Sequence, residues 1–145
     1  MKSARLLMLP CLILILALTA HAQTTGTPGF NDYTISGSTS GSTSCTYLAL
    51  TPGLHTFDVS TFPGATVYYF ANIVPCAYTG IMGCQGSFID LSLSPLPFNF
   101  YFTTTLSGLV SLPAILPAGL FFSTQCLIFI PGCLPLMTQA YDVQT

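Results

Sequence analysis

The sequence predicts an all-β protein: an antiparallel β-sandwich of jelly-roll-like type, with about eight short strands, after an N-terminal signal peptide. Apolar and polar residues alternate with period two along several segments, and Pro-Gly pairs separate some of these segments. No window shows a helical apolar period with caps. Because 51% of residues are hydrophobic and only 4% are charged, we expect a packed core and not a disordered chain.

The first 22 residues have the parts of an export signal. Lys2 and Arg5 form a basic start, and residues 6–18 form an apolar run of signal-peptide length. A small-x-small pattern ends at Ala22, where we expect cleavage. A membrane anchor is the alternative, but it needs about 20 apolar residues. Cys11 lies too early in the run to be a lipidated first residue.

The two expected regions are residues 1–22, the signal peptide, and residues 23–145, a single β-sandwich domain. The protein is then secreted or extracytoplasmic, in the periplasm or on the cell surface. Removal of Lys2 and Arg5 with the signal changes the formal charge from −2 to −4 and leaves no basic side chain except histidine. Such a domain lacks the cations that bind nucleic acid or anionic lipid. The remaining charged residues are Asp32, Asp58, Asp90 and Asp142.

Four strands are predicted in the first half of the domain. Asp32–Ile35 and Cys45–Leu50 are short and rich in β-branched or aromatic residues. Between them, residues 37–44 contain only Gly, Ser and Thr, which predicts an exposed loop. In His55–Ser60, Phe and Val alternate with Asp and Ser, which indicates a half-buried strand. Thr66–Val74 completes this half.

Four more strands are predicted in the second half. Ile89–Ser94 and Phe98–Thr103 alternate apolar and polar residues, whereas Phe121–Ile130 and Thr138–Val143 are aromatic and β-branched. Residues 106–137 are apolar enough to raise a membrane span as an alternative. Four prolines in that stretch would break a helix, so we do not expect membrane insertion. The expected turns are Pro52-Gly53, Pro63-Gly64 and Pro131-Gly132.

Five cysteines follow the signal peptide, and export permits disulfides. Cys76 with Cys84 and Cys126 with Cys133 would each close a local loop, although spacing does not fix connectivity. These spacings are wider than those of zinc sites. Cys45 is then the possible unpaired thiol, either buried or available to another chain.

The sequence predicts no catalytic residue, no metal site and no cofactor, and therefore no enzyme. The domain has one histidine, His55, and no Lys, Arg or Glu. His55 and Asp58 are three apart in a predicted strand and so project to opposite faces. His55 is expected to be partly buried. The four aspartates lie on separate predicted strands, which disfavours a calcium site.

Four tyrosines are candidates for stacking against a ligand such as a glycan. The competing interpretation places them in the core or in cross-strand pairs. These tyrosines are Tyr68, Tyr69, Tyr78 and Tyr101.

Three long stretches carry a resemblance to a group of proteins. They are TFDVSTFPGATVYYF at residues 56–70, FIDLSLSPLPF at residues 88–98 and GLVSLPAILPAGLFFSTQCLIF at residues 108–129. This order resembles modules of poorly characterised exported proteins of environmental bacteria. The resemblance implies a β-rich extracellular module and assigns no catalytic residue.

These observations favour a non-enzymatic secreted or cell-surface protein with a structural, adhesive or self-assembly role. Natural sheets protect their edges with Lys and other charges, and this domain has no Lys. We therefore expect self-association or binding to another surface protein. A carbohydrate-binding, lectin-like module is the alternative.

Overall fold

A computed structural model describes residues 32–38, 45–84, 87–132 and 134–145. The predicted signal peptide and most of the predicted Gly, Ser and Thr loop lie outside these residues. The described chain contains eight strands and no α-helix. In particular, none of it forms a helix with the length and apolar character of a membrane span. The strands are β1 (Asp32–Ile35), β2 (Thr46–Ala49), β3 (Gly53–Ser60), β4 (Thr66–Asn72), β5 (Phe98–Thr104), β6 (Leu109–Leu116), β7 (Phe121–Phe129) and β8 (Leu136–Gln144).

The strands form two sheets that pack against each other as a sandwich. The order is β1-β3-β6 in the three-stranded sheet and β2-β8-β7-β4-β5 in the five-stranded sheet. All pairs are antiparallel except β2 with β8, which run parallel. The predicted all-β sandwich is confirmed, with the refinement that the larger sheet is mixed.

The core lies between the two sheets and is built by the predicted alternation. In β3, Phe57 and Val59 are buried while Asp58 and Ser60 between and beside them are not. The ring of Tyr33 from the small sheet meets the ring of Tyr69 from the large sheet, with centroids 5.9 Å apart. Such edge-to-face aromatic pairs stabilise a core beyond the area that they bury.

The second half of the chain differs from the prediction at two places: one predicted strand is absent, and one strand was not predicted. Ile89–Ser94 is an irregular segment and not a strand. The neighbouring residues Asp90 and Leu91 are both buried, whereas alternate burial is expected in a strand with one buried face. Leu109–Leu116 is a strand that was not predicted, because Pro113 within it argues against a strand. A proline has no N–H to donate and is tolerated on an edge strand, which is where β6 lies.

The connection between β4 and β5 covers part of the outer face of the five-stranded sheet, over β7 and β8. Its described residues, 73–84 and 87–97, are called the cover segment here. Its main chain bonds to side chains of β7 and β8: the Ser123 hydroxyl donates to the carbonyl of Val74 at 2.8 Å, and the Asp142 carboxylate accepts from the amide of Cys76 at 2.8 Å. This cover buries much of one half of the outer face and leaves the β5 side open.

Two of the expected Pro-Gly turns have the backbone that glycine favours. Gly64 and Gly132 both have a φ of 82°. At the first turn, the amide of Ala65 donates to the carbonyl of Phe62 at 3.2 Å. These positions therefore need glycine for its positive φ.

Candidate functional site

The most unusual surface of the protein is the outer edge of β5. This strand ends the five-stranded sheet and pairs with β4 alone among the described strands. Every residue of β5 except Thr103 is exposed. Its four aromatic side chains form the set called the aromatic edge here, with exposed fractions as follows: Phe98 53%, Phe100 39%, Tyr101 39% and Phe102 62%.

A β-bulge directs part of the aromatic edge towards the core. The β4–β5 register shifts between Tyr69 and Phe70, so that Phe100 is an extra residue on β5. Phe100 and Tyr101 therefore both contact Tyr69, with ring centroids 5.9 Å and 5.8 Å away. Phe100 also reaches Phe57 of the other sheet at 6.4 Å. At the β5 edge, the partly exposed rings of Phe100 and Tyr101 therefore contact buried rings of the core.

The outer face of the sheet next to this edge carries a second group of rings. Phe102 stacks on Tyr68 with centroids 5.4 Å apart and an angle of 16° between planes. Phe129 meets the other side of the group edge-on, 5.0 Å from Tyr68. Phe129 is 40% exposed, so Phe102 and Phe129 present apolar surface to solvent while Tyr68 is partly covered by both.

The four tyrosines singled out from the sequence do not form one site. Tyr69 as a ligand-stacking residue is wrong: it is fully buried, and its hydroxyl donates to the carbonyl of Phe57 at 3.2 Å. Burial is the main reason that the pKa of Tyr69 lies far above its usual range. Tyr101 belongs to the aromatic edge and Tyr68 lies beside it, whereas Tyr78 lies on the cover segment with its ring centroid 5.3 Å from that of Phe88.

The phenylalanines of β5 were not singled out as site residues. The period-two pattern of Phe98–Thr103 predicts a strand with one buried face. The strand is present, but neither of its faces is buried. The available signal was the absence of charge from the strand and its surroundings. A long charge-free aromatic strand is well protected only in the middle of a sheet.

His55 has a structural role. It is 9% exposed, so the expectation of partial burial is confirmed. Its Nε2 lies 2.8 Å from the carbonyl oxygen of Thr51, and its Nδ1 lies 2.8 Å from the hydroxyl of Ser36. Because a carbonyl oxygen only accepts, Nε2 is the donor in the bond to Thr51. Asp58 points to the other face, as predicted, where it accepts from the hydroxyls of Thr56 and Ser111.

The four carboxylates occupy two places away from β5. Asp32 and Asp58 line a shallow groove of about 440 Å³ on the outer face of the three-stranded sheet. Asp90 is a buried residue of the cover segment, and its amide donates to Gln125, whereas Asp142 lies on β8 beneath that segment and accepts from the amide of Cys76. Within the described part of the chain, no three His, Cys, Asp or Glu residues come together as metal ligands.

The predicted cysteine pairing is wrong in both pairs. Cys45, expected to be unpaired, forms a disulfide with Cys76, and their Cα atoms lie 5.5 Å apart. The cover segment brings Cys76 back to the start of β2, 31 residues earlier in the chain. Cys84 is also disulfide-bonded, but not to Cys76.

Cys126 has a free thiol and was expected in a disulfide with Cys133, which lies outside the described residues. It is 0% exposed because it occupies an inward position of β7, between the sheets. Burial raises the pKa of the Cys126 thiol well above its usual value. A buried neutral thiol behaves as a small apolar side chain.

Comparisons with protein families and curated proteins assign no function to the chain. No protein-family model matches the chain, and no curated protein matches it either.

Proposed function

We propose that this protein is a non-enzymatic, extracytoplasmic β-sandwich that has a structural or adhesive role and acts by self-assembly. The observation that carries the proposal is the aromatic edge: a seven-residue strand with four aromatic side chains that ends its sheet among the described strands. The main-chain edge of such a strand, together with its apolar side chains, forms a template for another strand.

The charge distribution supports the same proposal. Residues 91–141 contain no Asp, Glu, Lys or Arg, and β4 and β5 have no charged side chain. Two copies therefore meet at β5 without repulsion between ionic groups. Two of the carboxylates, those of Asp32 and Asp58, lie elsewhere and line the groove on the three-stranded sheet.

Two features support export. The N-terminal residues have the order of parts of a signal peptide. The Cys45–Cys76 disulfide is consistent with an oxidising compartment outside the cytoplasm. A module of this kind would do its work on the cell surface or in the surrounding medium.

Light scattering over a dilution series tests self-assembly. The expected result is an average mass that rises with protein concentration and is not lowered by 1 M NaCl, because apolar association is not screened by salt. A strictly monomeric protein at every concentration would contradict the proposal.

Glycan binding is the second candidate, and the stacked rings of Phe102 and Tyr68 favour it. They offer a flat aromatic surface beside the hydroxyls of Thr66 and Thr104, which lie 3.0 Å apart on the same strands. A glycan array tests this candidate with Phe102→Ala and, as control, Tyr47→Ala, an exposed aromatic on another strand. Glycan binding requires a signal that Phe102→Ala removes and Tyr47→Ala keeps.

A further inference from the structure

We infer that β5 pairs with β5 of a second copy of this chain, so that two five-stranded sheets join into one ten-stranded sheet. This inference rests on the proposed self-assembly and names its surface and geometry. A twofold axis perpendicular to the sheet relates the two copies, and the two β5 strands run antiparallel across it.

The other strand edges of the sandwich are poorer templates. The terminal strands β1 and β2 have four residues each, and short edge strands resist pairing. The edge strand β6 has eight residues but contains Pro113, which cannot donate a main-chain hydrogen bond. Among the described edges, β5 alone combines seven residues, no proline and a row of exposed rings.

The four aromatic side chains of β5 supply about half of the area that a standard dimer interface needs. The exposed fractions of its four aromatic side chains correspond to about 400 Å² per copy, at about 200 Å² for each whole ring system. A standard interface buries about 800 Å² per partner. Leu96 and Leu106 flank the strand with 78% and 90% of their surface exposed, and they add to the same patch together with the strand's main chain.

A second copy is the occupant that the chemistry of this edge fits. Antiparallel pairing of β5 with itself places aromatic side chains opposite or diagonal to aromatic side chains, which is a favourable cross-strand arrangement. Neither copy brings a charge to the junction, because β5 and the residues that flank it are uncharged. The same symmetry closes the assembly at two copies, since each copy uses its β5 edge once.

The test is sedimentation velocity on the exported protein, with its N-terminus determined by mass spectrometry. Phe102→Lys places one positive charge on each β5 of the pair and removes a ring from it. The matched control is Tyr47→Lys on β2, the opposite edge of the same sheet, where the side chain is 60% exposed compared with 62% for Phe102. Circular dichroism and urea midpoints verify that both variants fold, and Thr104→Lys, which leaves the rings in place, serves if Phe102→Lys does not.

The inference expects a wild-type dimer, a dissociation constant at least about 30-fold higher for the β5 variant, and an unchanged dimer for Tyr47→Lys. If the β5 variant associates as well as the wild type does, the inference is wrong and the proposed self-assembly stands. Loss of assembly in Tyr47→Lys, or growth beyond two copies, indicates a head-to-tail chain and also overturns the twofold dimer. A wild-type protein that is monomeric throughout removes both proposals.

Discussion

Gln125→Leu should destabilise the protein strongly, because Gln125 attaches the cover segment to the sheet. Gln125 is 0% exposed. Its Nε2 donates to the carbonyls of Phe88 and Thr138, both at 2.9 Å, and its Oε1 accepts from the amide of Asp90 at 3.0 Å. Leucine has a side chain of similar size to glutamine, but it is apolar and makes none of these three hydrogen bonds.

The magnitude follows from these three bonds. Each one contributes about 1 kcal/mol net, and a buried main-chain group left without its partner costs about 1–3 kcal/mol. The amide of Asp90 and the carbonyl of Thr138 belong to residues that are at most 3% exposed. We therefore expect the free energy of unfolding to fall by about 3–5 kcal/mol, a large part of the 5–15 kcal/mol typical of a domain.

Urea denaturation measures the effect, with the midpoint lowered and the slope unchanged. Gln144→Leu is the matched control, because Gln144 is half-buried and makes a single weak bond of 3.4 Å to the carbonyl of Thr145. It should change stability by less than about 0.5 kcal/mol. A loss below about 1 kcal/mol for Gln125→Leu would refute the idea that this side chain holds the cover segment.

Three further predictions concern the core and one turn. Burial raises the pKa values of Tyr33, Tyr69 and Cys126 in the folded protein, so stability from these groups is complete below their unfolded values and is lost as the pH rises above about 9–10. Urea titrations should show a decline of up to about 1.4 kcal/mol per pH unit for each group, with a shallower decline in Tyr33→Phe. Iodoacetamide should label Cys126 only after denaturation, and labelling of the native protein would contradict its burial. Gly108→Ala should unfold at lower urea than Gly119→Ala: both glycines have positive φ, but only at Gly108 would a Cβ collide with the carbonyl of Thr61.

The sequence pattern predicts the fold well where one side of a strand is buried. Phe57 and Val59 alternate with polar residues because only one face of β3 meets the core, and this periodicity is local. The pattern fails at Ile89–Ser94, whose alternating residues do not form a strand: there the amide of Asp90 donates to the side chain of Gln125 in β7. It also misses β6, because the missing N–H of Pro113 is tolerated only at an edge, and edges depend on tertiary topology.

The candidate site was predictable only in part for the same reason. An unusual lack of charge predicts surfaces that associate, but it does not identify which strand ends a sheet. The cysteine spacing favours local loops, whereas the fold of the cover segment brings Cys76 to Cys45. Tyr69 and Tyr101 belong to similar sequence patterns, yet one is buried and the other lies at the edge.

Hydrogen exchange of the wild-type protein at low and high concentration tests the pairing of β5 most directly. We predict that main-chain amides of Phe98–Thr104 exchange more slowly as concentration rises, while those of Thr46–Ala49 on the opposite edge do not change. Exchange of the β5 amides that is independent of concentration, in a sample whose mass does increase, would contradict assembly through this strand.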